Sequence, residues 1–239
     1  MKKITKIIKM FSAALLLAST SVYAENGKSG LEILKKSYDY QGSLDKYAVA
    51  AKVTFDIKED GKTFELSHTA RAKIDRPDKM RVDSKGETIE RSIYLSNGIY
   101  TMIDYIDNDE MFYTQIKTPK TIDDMLDHLI DEFGIVLPVA TLLHSDMSDY
   151  IHPKKVYNFG KKRVQGADCD YIAFRHNGKE VHLWIEDSAT PLLRQAYIKA
   201  GDAEIKFATR WDLKPGFPDS VFEFKAPKGA SKVSIEKSK

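Results

Sequence analysis

From Tyr47 to Ile74 the chain alternates apolar and polar residues with a period of two, broken once at Asp60-Gly61. Tyr47, Val49, Ala51, Val53, Phe55 and Ile57 share one side of the first run, and Phe64, Leu66, His68, Ala70, Ala72 and Ile74 one side of the second. Successive strand residues point to opposite faces, so each run is a strand with one face in a core and one in water. Two such strands around an Asp-Gly predict a long hairpin.

The remaining chain continues the pattern and twice breaks it. Strands are expected at residues 79–83, 88–95, 99–105 and 110–116, joined by short polar turns that include Asn97-Gly98 and Asp107-Asn108-Asp109, which describes an antiparallel meander. After Pro119 the period becomes helical: Ile122, Met125, Leu126, Leu129, Ile130 and Phe133 recur on one side, opposite Asp123, Asp124, Asp127 and Asp131. Thr121 with Asp124 resembles a capping box, and Gly134 ends the element. A shorter helix is expected over Leu137–Leu143, and another lies before the hairpin, where Leu31, Leu34 and Tyr38 precede a stop at Gly42. From Lys155 strands resume at 156–159, 168–175, 180–186, 193–199 and 203–213, the last with Ile205, Phe207, Thr209, Trp211 and Leu213 on one face. Consecutive antiparallel strands imply one large curved sheet, and the helices must bury their apolar stripes against it. The expected class is α+β, mainly antiparallel β.

The first 24 residues carry a separate message. Lys2, Lys3, Lys6 and Lys9 precede a short apolar run, and Ser21-Val22-Tyr23-Ala24 ends in small residues at the spacing of a signal-peptidase site. The run is far shorter than the ~20 residues needed to span a bilayer. Cleavage after Ala24 is expected, leaving residues 25–239 as a single domain in a bacterial periplasm. Removal takes four lysines and no acid, so 33 Lys+Arg face 35 Asp+Glu in the mature chain. A balance so close to neutral, without clustered basic residues, argues against a nucleic-acid partner. Cys169 is the one cysteine and excludes an intramolecular disulfide; between Asp168 and Asp170 it reads as buried and inert.

Local signatures of catalysis are missing. The chain has no Gly-x-Ser-x-Gly elbow, His-Glu-x-x-His pair, Walker loop or Gly-x-Gly-x-x-Gly. Its six histidines lack ligand spacing, and the acidic turn at Asp104–Glu110 fails the calcium-loop pattern, with Met at position 111 and the required glycine missing. No metal, cofactor or catalytic residue is therefore assigned. His68 stands apart because alternation places it on the apolar face of its strand, where a buried histidine with a hydrogen-bond partner is expected.

Several stretches carry a resemblance. Ala72-Lys73-Ile74-Asp75-Arg76-Pro77-Asp78-Lys79-Met80-Arg81-Val82, Tyr94-Leu95-Ser96-Asn97-Gly98 and Phe222-Glu223-Phe224-Lys225-Ala226-Pro227-Lys228-Gly229-Ala230 resemble, in order, signatures of the periplasmic lipoprotein carriers LolA and LolB. Gly166 to Arg194, with Cys169-Asp170-Tyr171, Leu183-Trp184-Ile185 and Pro191-Leu192, is similar to a related branch of predicted periplasmic proteins, domain of unknown function 2092. The resemblance implies an unclosed, LolA-like half-barrel with helices covering an apolar cavity. It also implies that Arg76, in the Arg-Pro motif, latches the helical lid. Candidate cavity walls are then Ile122, Met125, Leu126, Leu129 and Phe133 on the lid, facing Val49, Val53, Phe55, Leu66 and Trp211 on the sheet. Chain departures in length and in the central helical region leave the cargo unspecified.

On this reading the protein is a monomeric, non-catalytic carrier or sensor for lipid or lipoprotein acyl chains. Each buried CH₂ contributes ~0.8 kcal/mol, so a chain of about fifteen carbons offers roughly 12 kcal/mol before costs. An envelope interaction module that contacts a membrane protein is the alternative, and an unpaired strand edge would favour it. An enzyme would instead show a polar cluster inside the cavity.

Overall fold

In the computed structural model the described residues are 28–59, 62–87, 89–106, 110–135 and 143–237. The leader, the turns at Asp60-Gly61 and Asp107-Asn108-Asp109, and all but the last residue of the helix expected over Leu137–Leu143 lie outside them.

Helix α1 (Gly30–Gly42) comes first. The meander follows as β1 (Lys46–Glu59), β2 (Lys62–Asp75), β3 (Lys79–Lys85), β4 (Glu90–Ser96), β5 (Ile99–Ile106) and β6 (Glu110–Lys117). Helix α2 (Ile122–Phe133) and one turn of helix, α3 (Met147–Tyr150), separate it from β7 (Val156–Val164), β8 (Ala167–His176), β9 (Lys179–Glu186), β10 (Leu193–Ala200) and β11 (Ala203–Asp212). A 3-10 turn (Asp219–Phe222) and a two-residue strand, β12 (Ser231–Lys232), end the described chain. The strands form one 12-stranded sheet in the order β12-β6-β5-β4-β3-β2-β1-β11-β10-β9-β8-β7. Among the described strands only β12 pairs in parallel, with β6. Its two outer edges do not meet, so the sheet is the unclosed antiparallel half-barrel that the sequence predicts.

Local chemistry accounts for the boundaries. Ser29 and Glu32 form a reciprocal capping box, with the Glu32 N–H donating to Ser29 Oγ at 3.2 Å and the Ser29 N–H to Glu32 Oε2 at 2.8 Å. Such a cap contributes about 1 kcal/mol. Thr121 accepts from the Asp124 N–H and caps α2, which ends at Gly134 with φ 64°. Asn97-Gly98 and Asn177-Gly178 both have positive φ at the two central residues, the geometry of a two-residue hairpin turn.

Both long helices lie on the same face of the sheet, each over its own core. Under α2, Ile122, Met125 and Leu129 are fully buried with Ile74, Met80, Leu95 and Tyr100. Under α1, Ile33 and Leu34 pack on Ile172, Phe174, Leu183, Ile185 and Ala196. Full burial of such a side chain stabilises by about 1.5–3 kcal/mol, so these two clusters hold the helices down. Across β3–β6 the opposite face is covered by the C-terminal segment, with Phe222 buried and Phe224 against Tyr94 and Tyr113 at 5.5 and 5.3 Å between ring centroids.

Some expectations need correcting. Helix α3 was not foreseen, and β7 continues five residues past Phe159. Ile130 belongs to the expected apolar stripe of α2 yet is 43% exposed. His68 does lie on the inner face, but half-buried, with its ring stacked on Phe55 at 5.5 Å rather than held by a hydrogen bond. Cys169 is buried, and burial raises its thiol pKa, as its neighbour Glu186 also does.

A candidate ligand cavity and its strap

Between α1, α3 and β8–β11 the inner face encloses a cavity of about 220 Å³. Tyr38, Met147 and Ile151 form its roof, and Phe174, Val181, Leu183, Ile198 and Phe207 its floor. The gap arises because α1 presents a small residue, Ser37, above these large floor residues. Ser37 Oγ donates to the Pro191 carbonyl at 2.8 Å and accepts from Gln41 Nε2 at 2.8 Å. The Ser37 hydroxyl and the Gln41 amide nitrogen are thus already paired, and most of the remaining lining is apolar. Burial raises the Tyr38 phenol pKa, so that group stays neutral throughout the accessible range. At one end the cavity reaches the exposed β8–β9 turn, at His176, Asn177 and Lys179.

The wall residues expected from the sequence fall into two sets. Val49, Ile122, Met125, Leu126 and Leu129 lie in the close-packed cluster under α2, with Phe133 and Trp211 half-buried at its margin. Trp211 is held there by Nε1 donating to the Leu193 carbonyl at 2.9 Å and by the Tyr47 ring at 5.6 Å. Val53, Phe55 and Leu66 lie beside the cavity floor: Val53 pairs with Phe207, and Phe55 with both Ile205 and Leu66. Val53 is buried, whereas Leu66 is 49% exposed. None of these ten residues lines the 220 Å³ cavity. Its floor comes from β8–β11, whose alternation was legible; the missing signal was that α1, rather than α2, covers those strands.

Arg76 sits at the end of β2 with a side chain 10% exposed. Its Nη1 donates to Asp123 Oδ1 at 3.1 Å, and its Nη2 to the Leu143 carbonyl. Nearby, the Ile122 N–H donates to the Pro77 carbonyl at 2.8 Å, fixing the start of α2 to the same corner. Asp123 also accepts from the Ser145 backbone at 3.1 Å and from the Ser145 hydroxyl. Burial alone would raise the Asp123 pKa, but the Ser145 hydroxyl, the Arg76 guanidinium, the Ser145 N–H and His144 together bring it below the ordinary carboxylate value. His144 lies 3.9 Å from Asp123 and 3.8 Å from Asp127, and its ring meets Tyr150 edge-on at 4.4 Å. Tyr150 donates to Asp127 at 2.7 Å; burial, that hydrogen bond and the nearby carboxylates push its pKa up to about 12.

These contacts make residues 143–151 a strap between the two helices. The strap is tied to α2 at Ser145 through Asp123 and at Tyr150 through Asp127, while Met147 and Ile151 enter the cavity roof. Arg76 therefore bonds to a carboxylate of α2 and to a strap carbonyl.

Comparison with known proteins sets this geometry in a family. No curated protein is significantly similar to the chain in sequence. Among solved structures the chain is similar to the lipoprotein LppX of Mycobacterium tuberculosis, at 12% identity and a TM-score of 0.45 over 79% of this chain and 97% of that one. LprF from Mycobacterium bovis gives 12% identity and a TM-score of 0.48 over 81% and 99%. A LolA superfamily protein of Nitrosomonas europaea gives 11% and 0.34 over 83% and 99%. Residues 30–236 match the family described as predicted periplasmic protein (DUF2092), and the chain belongs to that family.

Proposed function

We propose that the protein is exported, cut after Ala24, and acts as a monomeric single domain of residues 25–239 that carries or senses an apolar ligand without catalysing a reaction. The ligand class is an acyl chain, of a lipid or a lipoprotein. One observation supports this above all: the largely apolar cavity between α1, α3 and β8–β11, where the Ser37 hydroxyl and the Gln41 amide nitrogen are already paired within the protein. Small-molecule pockets run to about 300–1,000 Å³, so a cavity of about 220 Å³ corresponds to a closed form. A long chain would need more room, and the inner face offers it beside the floor, where Val53, Phe55 and Leu66 continue the apolar surface. Opening would move the roof, which the strap carries, and Arg76 would latch that strap in the closed form.

The test is direct. Protein purified from its own periplasm and examined by native mass spectrometry should carry a lipid-sized adduct, and the delipidated protein should take up a fluorescent fatty acid. Leu183→Trp, which fills the floor, should abolish uptake with the fold intact. Uptake equal to the parent's would remove the cavity from the proposal. The alternative, an envelope module contacting a membrane protein, draws support from the outer edge of β7, which has no strand partner among the described residues. It predicts an apolar cavity that stays empty in the periplasm.

A further inference from the structure

Over β7–β10 no helix or strand among the described residues covers the sheet face opposite the helices, and that face carries a row of rings. Phe159, Tyr171 and Trp184 stack in succession, with centroids 5.1 and 4.7 Å apart and the last two planes 4° from parallel. Tyr157 and Phe159, on the edge strand, are 51% and 48% exposed. Beside them a broad concavity of about 810 Å³ brings together Lys154, Lys155 and Arg175 with a single carboxylate, Glu180. Glu180 is occupied by His182 at 2.8 Å and by Arg175 at 3.9 Å. Lys155 Nζ lies over the Tyr157 ring at 4.6 Å, and Lys154 has no ion pair among the described residues. Net of Glu180, Lys154, Lys155 and Arg175 leave an excess of two positive charges, and with half-exposed aromatic rings at the edge this suits a surface that is anionic outside and apolar just beneath.

We propose that this face docks on an anionic lipid bilayer, with Lys154, Lys155 and Arg175 on the phosphates and Tyr157 and Phe159 at headgroup depth. Charge complementarity selects this occupant, since a second copy of the chain would bring like charges together. Position supports it too: Phe174, His176 and Asn177 line both this concavity and the ligand cavity, so the two open at the same β8–β9 end. Residues 147–157 run round that end, with Met147 and Ile151 in the cavity roof and Lys154, Lys155 and Tyr157 on the outer face. Docking would bring the cavity mouth to the membrane. That use rests on the carrier reading, whereas the docking itself does not.

Co-sedimentation of the mature protein with phosphatidylcholine vesicles, with and without phosphatidylglycerol, tests the proposal. Binding is expected to the anionic vesicles alone and to vanish at high salt. Each cation near an anionic surface is worth on the order of fivefold in partitioning, so Lys154→Gln with Lys155→Gln should lower binding about 25-fold. Both residues are exposed, and circular dichroism should be unchanged. Phe159→Ser should also weaken binding to the anionic vesicles at low salt. Equal binding to both vesicle types, or parental binding by the double variant, would overturn the proposal. So would saturation by sn-glycerol 1-phosphate in solution with no vesicle binding, which would make the concavity a site for a soluble phosphate. Fatty-acid uptake without vesicles is measured separately, so failure of the cavity reading and failure of the docking surface register in different assays.

Discussion

Gly42, the last residue of α1, lies in backbone contact with Ser145: a Cβ at position 42 would overlap the Ser145 carbonyl oxygen. Ser145 is also the residue whose N–H and hydroxyl bond to Asp123 on α2. The two helices thus meet through one residue of the strap. Gly42→Ala should destabilise by about 1–3 kcal/mol, the usual cost of overpacking a site whose neighbour is backbone. If the strap carries the cavity roof, the same variant should change fatty-acid affinity although residue 42 does not line the cavity. Thermal unfolding and a binding titration on one sample check both.

Arg76→Leu should cost about 1–3 kcal/mol, less than for a fully buried pair, because Asp123 is 26% exposed and keeps its bonds to Ser145. The latch reading adds slower ligand release, since release no longer gains the closing bonds. A lower melting temperature with an unchanged off-rate would leave Arg76 a structural residue. Combining Arg76→Leu with Asp123→Asn should show a coupling of about 0.5–3 kcal/mol.

Acid should weaken the same corner in a definite direction. The folded pKa of Asp123 is lowered, so its contribution is complete above the unfolded carboxylate value and is lost as pH falls through the lower folded one. The strap should hold at mildly acidic pH and loosen in strong acid. Asp123→Asn should be less stable at neutral pH yet flatten the acid limb of a stability curve.

Leu129 separates core from cavity. It is fully buried under α2 and does not line the cavity, so Leu129→Ala should cost about 2–5 kcal/mol while the remaining folded protein binds the fatty acid as the parent does. Leu129→Glu, which places an unpaired carboxylate in that cluster, should prevent folding instead of emptying a pocket. Urea titration with a parallel uptake assay decides the matter.

His68 predicts a second pH effect. Burial lowers its folded pKa below the ordinary value of about 6.5, so the unfolded chain takes up the proton first and stability declines as pH falls below that value. The melting temperature should fall between pH 7 and pH 5 by more in the parent than in His68→Phe.

Strand positions were largely legible, because period-two alternation and positive-φ hairpin turns act locally. Both ends of α2 were legible too, from Thr121 and Gly134. Which helix covers which half of the sheet was not, since α1 and α2 each show an apolar stripe and only tertiary packing assigns the partner. That ambiguity left Leu126 and Leu129 as the expected walls, whereas Leu183, Ile198 and Phe207 line the cavity under α1. Helix α3 was invisible because four residues hold no full period, and Asp146 provides no side-chain cap. Arg76 was legible as a corner residue from its Pro77 neighbour, while its acceptors, Asp123 and the Leu143 carbonyl, depend on the folded chain.

The sheet order has a consequence for assembly. Strands β1 to β6 pair with neighbours in sequence, as do β7 to β11, and the two series join where β1 meets β11, with Val49 opposite Trp211 and Val53 opposite Phe207. A chain emerging from its N-terminus makes the first strand long before its second partner exists. Until residues 203–212 arrive, β1 presents an open row of amides and carbonyls, the kind of template that recruits other chains. Closing so long a loop is also slow. If the chain is exported as proposed, the vulnerable interval is the one between crossing the membrane and that final pairing, so substitutions in β11 should act on the yield of native protein more than on its stability once formed.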